Sequence, residues 1–217
     1  MALITDYTTL VAEVKAYAAR SDSTFSNRFP VLVALAEDRI YNGHGTPGDP
    51  LYSAPIRAPI MEVSTTLTVT DGAATIPDNF LELRRLTRAN DAVGMAWISP
   101  DDLAKERVRY TSGDPVRYTV EGMTLKTAPA ATTTLTLIYY KRFANLTADA
   151  PTNSMITTYP LAWFNAVMFE AFAFMQDIDL ATAWLSRYRS TVDGINRTTA
   201  NIRAGGKMRS TIRVMGV

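Results

Sequence analysis

The spacing of hydrophobic positions divides this chain into three. Up to Gly43 the period is helical: Tyr7, Leu10, Val11, Val14, Tyr17 and Ala18 mark one face, with Thr5 or Asp6 placed to cap it. Ser21–Thr24 breaks that helix. A second is expected to start near Pro30 and to bury Leu32, Val33, Leu35, Ala36 and Ile40, with Gly43 placed to end it. Gly43–Pro59 then holds three glycines and four prolines, a composition that fits neither helix nor sheet interior and predicts a long extended connection. From Val63 the period falls to two. Val63–Val69, the Asp71-Gly72 turn and Ala74–Ile76 predict a first hairpin, and Val116–Val120, Glu121-Gly122 and Met123–Leu125 a second. Phe80–Arg88 alternates until Arg84-Arg85 breaks register, which predicts a bulge. Leu135–Tyr140 is apolar on both faces apart from Thr136 and predicts a central strand. Between the hairpins, Pro100–Arg107 reads as a short helix capped by Ser99, with Asp101 and Asp102 in its first turn.

The last third returns to the helical period. Pro160–Met175 is apolar all round, and Asp179–Arg203 is amphipathic, with Ala181, Leu185, Tyr188, Val192, Ile195, Thr199 and Ile202 in a four-three seam. The order of elements predicts an α+β fold. Residues 1–45 and 155–203 form a helical bundle, an antiparallel β subdomain is inserted at 58–145, and 204–217 is a flexible basic tail. A helix with aromatic residues around its whole circumference has to be covered on most sides. Trp163, Phe169 and Phe172, with Leu185, Tyr188, Val192 and Ile195 of the seam, are therefore the candidate subunit interface; the seam's partner is either internal or a second copy.

Charge sharpens the division. Residues 1–183 carry 15 Lys/Arg against 20 Asp/Glu, and residues 184–217 carry 7 against 1, beneath a net charge of +1. Such a split points to a partner, or to a solvated basic face. No cysteine is present, which excludes disulfides, thiolate chemistry and Cys-ligated metal sites. Met1–Arg20 lacks the basic and apolar regions of a signal peptide. Pro160–Met175 is shorter than the roughly 20 residues a membrane span needs and holds Asn165 and Glu170, so no membrane partner is expected.

Candidate chemistry is sparse. His44 is the sole histidine, so no two-histidine metal motif exists, and no phosphate loop, dinucleotide fingerprint or nucleophile elbow occurs. No cofactor and no catalytic residue are expected. Glu37-Asp38 reads as a solvated face. Glu170, alone in an apolar run, needs a partner, and an arginine from a neighbouring helix or subunit is the simpler reading beside catalysis. Arg84, Arg85 and Arg88, and Arg187, Arg189, Arg197 and Arg203 on the last helix, would allow weak, non-specific contact with DNA. The sequence pI of about 7.9 lacks the footprint of a dedicated binder.

Several segments in order resemble the head-to-tail adaptor proteins of short-tailed bacteriophages, the connector or tail tubular gatekeeper-like group. They are Ile4-Thr5-Asp6-Tyr7 with Leu10, Phe29-Pro30, Ala34–Ile40, Ile76-Pro77-Asp78-Asn79-Phe80 through Leu86, and Trp97–Leu103. Tyr118–Gly122, Leu137–Arg142, Thr152-Asn153 and Tyr159-Pro160 complete the series. The resemblance spans residues 4 to about 203. It implies a non-enzymatic virion component assembled in the host cytoplasm: a ring, with twelve copies expected, between the portal protein and the tail nozzle protein, with DNA passing through it. A head-completion or tail-fibre-attachment protein is the alternative. On this reading Lys207, Arg209, Ile212, Arg213 and Val214 of the tail dock on the portal.

Overall fold

The computed structural model describes residues 4–89 and 94–204. The chain divides into two compact units, one running up to Pro59 and resuming at Ala144, the other Ile60–Phe143. The fold is α+β with antiparallel sheets.

The first unit is helical. Its elements are α1 (Tyr7–Tyr17), α2 (Ser23–Ser26), α3 (Phe29–Asn42), α5 (Ser154–Thr158), α6 (Pro160–Phe174) and α7 (Ile178–Arg203). Asp6 is the cap of α1: its carboxylate accepts from the Thr9 N–H at 2.8 Å, and the Thr9 hydroxyl accepts from the Asp6 N–H at 3.1 Å. Those bonds hold the Asp6 carboxyl below its usual range. The expected break after α1 contains the one-turn α2, which buries Phe25 edge-on to Phe29 at 5.1 Å. Gly43 ends α3 at φ +72°, and a Cβ there would lie 2.6 Å from the Ser53 carbonyl oxygen, so only glycine fits.

At the centre lies α6. Residues Ala162–Phe169 are buried without interruption, and Leu161, Ala173 and Phe174 at its ends are exposed. The sequence pattern assigned part of that cover to a second subunit; α1, α3, α5 and α7 of the same chain supply it. Met175–Asp177 turns the chain, Asp177 caps α7 through the Leu180 N–H at 3.1 Å, and α7 packs back along α6. Two positions of α3 differ from expectation. Leu35 is exposed and Glu37 is buried, because α3 turns the Leu32–Val33–Ala36–Ile40 face inward and Glu37 shares that face.

The second unit holds β1 (Glu62–Val69), β2 (Ala73–Thr75), β3 (Phe80–Arg88), β4 (Ala96–Trp97), α4 (Pro100–Arg109), β5 (Arg117–Glu121), β6 (Thr124–Ala128) and β7 (Thr133–Lys141). One sheet has the order β1-β7-β3 and the other β2-β6-β5-β4. The apolar strand β7 is central, as its pattern predicts, and β3 shifts register at Leu83/Arg85, where the two arginines interrupt alternation. The expected Asp71-Gly72 turn forms, with Thr70 and Ala73 exchanging backbone hydrogen bonds at 2.9 and 3.0 Å, but the strands on either side then part. The turn carries the chain from β1, paired with β7, to β2, paired with β6. Leu67, Val69, Ile76, Leu86, Leu125, Leu135 and Leu137 form a common core drawn from both sheets. Arg107 fastens α4 to this core, donating to the carbonyls of Gly72 at 2.6 Å and Thr127 at 2.8 Å.

Candidate functional site

A buried arginine organises the helical unit. Arg39 lies on the inward face of α3, with its guanidinium 4.4 Å from the centre of the Phe169 ring. Its Nε donates to Glu170 Oε1 at 3.1 Å, and its Nη1 reaches the Leu51 carbonyl and the Ser53 hydroxyl at 3.4 Å each. The Tyr188 hydroxyl of α7 donates to the Arg39 carbonyl at 3.3 Å, and burial raises the Tyr188 pKa. Glu170 therefore has its arginine, from the same chain. Burial pushes the Glu170 carboxyl up, and Arg39 and then His44 pull it back without cancelling the rise. The group of residues is a structural junction of α3, α6 and α7.

The connection after Gly43 is strapped to α7. His44 and Ser53 exchange backbone hydrogen bonds at 2.8 and 2.9 Å, closing the loop on itself. Arg189 donates to the Tyr52 carbonyl at 2.5 Å and also to the Pro50 carbonyl. Asn196 accepts from the Arg57 N–H at 2.9 Å and donates to the Pro55 carbonyl at 3.0 Å, and Arg57 itself donates to the Tyr41 carbonyl at 2.9 Å. Arg189, grouped in the sequence with a basic outer face, is thus a clamp on this loop. Arg57 and Asn196 have no signal in the hydrophobic pattern; only the proline and glycine content of the loop hinted that something must hold it.

The residues expected at a subunit contact are placed mostly inside. Trp163, Phe169, Phe172, Leu185, Tyr188 and Val192 are buried within this one chain, and Ile195 is half-buried. The apolar surface open to a partner is elsewhere on the helical unit. Tyr17, Leu161, Phe164, Trp184 and Arg187 border a groove of about 380 Å³ where α6 and α7 begin beside the end of α1. Tyr17, Phe164 and Trp184 meet edge to face, with centroids 5.1 to 6.2 Å apart, and the Arg187 guanidinium lies 4.4 Å over Trp184. A second exposed strip, Val31, Ala34, Leu35, Asp38 and Asn42, runs along the outer side of α3.

The other expected sites fall out as follows. Arg84 pairs with Glu62 at 3.2 Å and Arg88 with Asp114 at 2.7 Å, so both already face carboxylates. Among the described residues no group of His, Asp and Glu is arranged to hold a metal, and no helix is long and apolar enough to cross a membrane. Lys207, Arg209, Ile212, Arg213 and Val214 lie outside the described residues.

The helical unit is thus interrupted in sequence by the β unit and carries a groove bordered by aromatic side chains. Residues 5–212 match the family model described as SU10 adaptor protein, and the chain belongs to that family. It is a structural adaptor of a phage virion. A comparison with curated proteins finds no match.

Proposed function

We propose that the chain is one subunit of a ring in the neck of the virion, seated between the portal protein and the tail nozzle protein, with DNA passing through the lumen. The observation that carries this reading is the family match across residues 5–212, nearly the whole chain. The helical unit supports it with open apolar surface on two separate sides, a requirement for a head-to-tail contact between copies. Twelve copies complete the ring, and the protein is made and assembled in the host cytoplasm without catalytic chemistry. Contact with the passing DNA is brief and independent of sequence. The basic tail reaches the portal through Lys207, Arg209 and Arg213, with Ile212 and Val214 available to add to a neighbouring element.

Two measurements test this. Native mass of the full chain, alone and mixed with a portal ring, should give a portal-bound multimer of twelve copies; a chain indifferent to the portal would overturn the reading. Deletion of 205–217 should abolish portal binding and leave the melting curve of the fold in place. Unchanged binding by the truncated chain would remove the tail from the mechanism.

A further inference from the structure

A head-to-tail ring needs two different surfaces on each subunit, and the helical unit has two that answer each other. The solvent face of a helix ordinarily carries several charges. That of α3 presents Val31, Ala34, Leu35, Asp38 and Asn42 at spacings of three and four, with Asp38 its one charged side chain. Val31 and Leu35 are each about half exposed. Asp38 accepts a hydrogen bond from Asn42 at 2.6 Å and meets no lysine or arginine among the described residues.

The groove between the ends of α1, α6 and α7 has the reverse character. Tyr17 and Leu161 on its rim are also about half exposed, Asn165, Ser190 and Thr191 add neutral polar groups, and its one charge is Arg187. That guanidinium is held flat by Trp184 and faces no carboxylate among the described residues. Tyrosine, tryptophan and arginine are the side chains that anchor protein interfaces, and here they stand together on a floor already rigid through ring contacts.

We propose that the Val31–Leu35–Asp38 face of α3 from one copy seats in the Tyr17–Leu161–Trp184–Arg187 groove of the next, and that this contact, repeated, closes the ring. The inference rests on the ring reading above and names the surfaces that make it. Leu35 and Val31 cover Leu161 and Tyr17, and Asp38 reaches Arg187 at the edge. Each lone charge thereby gains an opposite partner while the apolar strips leave water. The same-surface alternatives, α3 on α3 or groove on groove, bring two acids or two arginines to one contact and supply neither with a partner.

Charge reversal in the full-length chain decides the matter. Asp38→Arg and Arg187→Asp are both surface changes, and each melting curve should match that of the parent. Assembly, measured by native mass with the portal ring present, should fall at least tenfold for either variant alone. An equimolar mixture of the two should recover it, since each variant's α3 then meets the complementary groove of the other. Cysteine pairs give an independent readout, because the chain has no cysteine of its own. Leu35→Cys mixed with Leu161→Cys should form disulfide-linked dimers, and neither should do so alone. Parent-level assembly by both reversal variants, or dimers from Leu35→Cys by itself, would overturn these surfaces and leave the ring standing. A parent chain that never multimerises with the portal would overturn the ring and this contact together.

Discussion

At the scale of single residues, Arg39 and Glu170 make an unequal pair. Arg39 has four distinct contacts, namely a carboxylate, a hydroxyl, a carbonyl and an aromatic face. Glu170 is raised above the usual carboxylate range, so desolvation outweighs the pull of its partner. A folded-state pKa above the unfolded one means that Glu170 contributes most to stability below the unfolded value. That contribution is lost as pH rises through the raised folded value. Arg39→Ala should therefore destabilise by about 3–5 kcal/mol, since it leaves a buried carboxylate alone. Glu170→Gln, which keeps an acceptor oxygen for Arg39 Nε but removes its counter-charge, should cost less, about 1–3 kcal/mol. Urea titrations of the two variants check both figures, and a larger loss for Glu170→Gln than for Arg39→Ala would reverse the assignment. The need for a partner was legible in the sequence, because a lone acid in an apolar run has few alternatives. Its identity was not. Arg39 sits far away along the chain, beside Glu37 and Asp38 in what reads as a charged patch, and only the turn of α3 separates the buried residues from the exposed Asp38.

Among elements, α7 shows how much a helix can carry besides its seam. Its inner face packs on α6, its Arg189 and Asn196 hold the Gly43–Pro59 loop, and its first turns build one wall of the groove. Gly194 lies in the helix interior on the exposed side, and a methyl group added there would meet nothing within 4 Å. Gly194→Ala should raise stability by about 1 kcal/mol, read as a higher urea midpoint at unchanged slope. No gain would mean that the helix needs its local weakness for an arrangement other than the one described. Periodicity found α7, α6 and the central strand β7 because each is long and strongly patterned. The Asp71-Gly72 turn was legible too, but not the parting of the strands beyond Thr70 and Ala73, since a tight turn between alternating runs looks the same whether the strands go on paired or take other partners. Periodicity assigned part of the cover of α6 to a neighbour, because no pattern within α6 reports how many helices of its own chain surround it.

For the whole molecule, the order helix, strand, helix along the chain becomes two compact units, with the β unit borne between α3 and α5. Within that β unit the first and last strands are neighbours: β1 and β7 run antiparallel, with Glu62 opposite Tyr140. The chain therefore enters and leaves it about 5 Å apart, the spacing of paired strands. Replacing 60–143 by a short flexible linker should leave a helical unit that folds on its own, with a cooperative melt and its far-ultraviolet helical signal retained. A chain that unfolds or aggregates without the β unit would show that the helices depend on it. Adjacent ends have a consequence for descent as well. A segment tied in at a single point can be exchanged, lengthened or lost in one genetic event without retying the remainder. A helical scaffold with such a joint can accept a different cassette there while its own chain path stays the same.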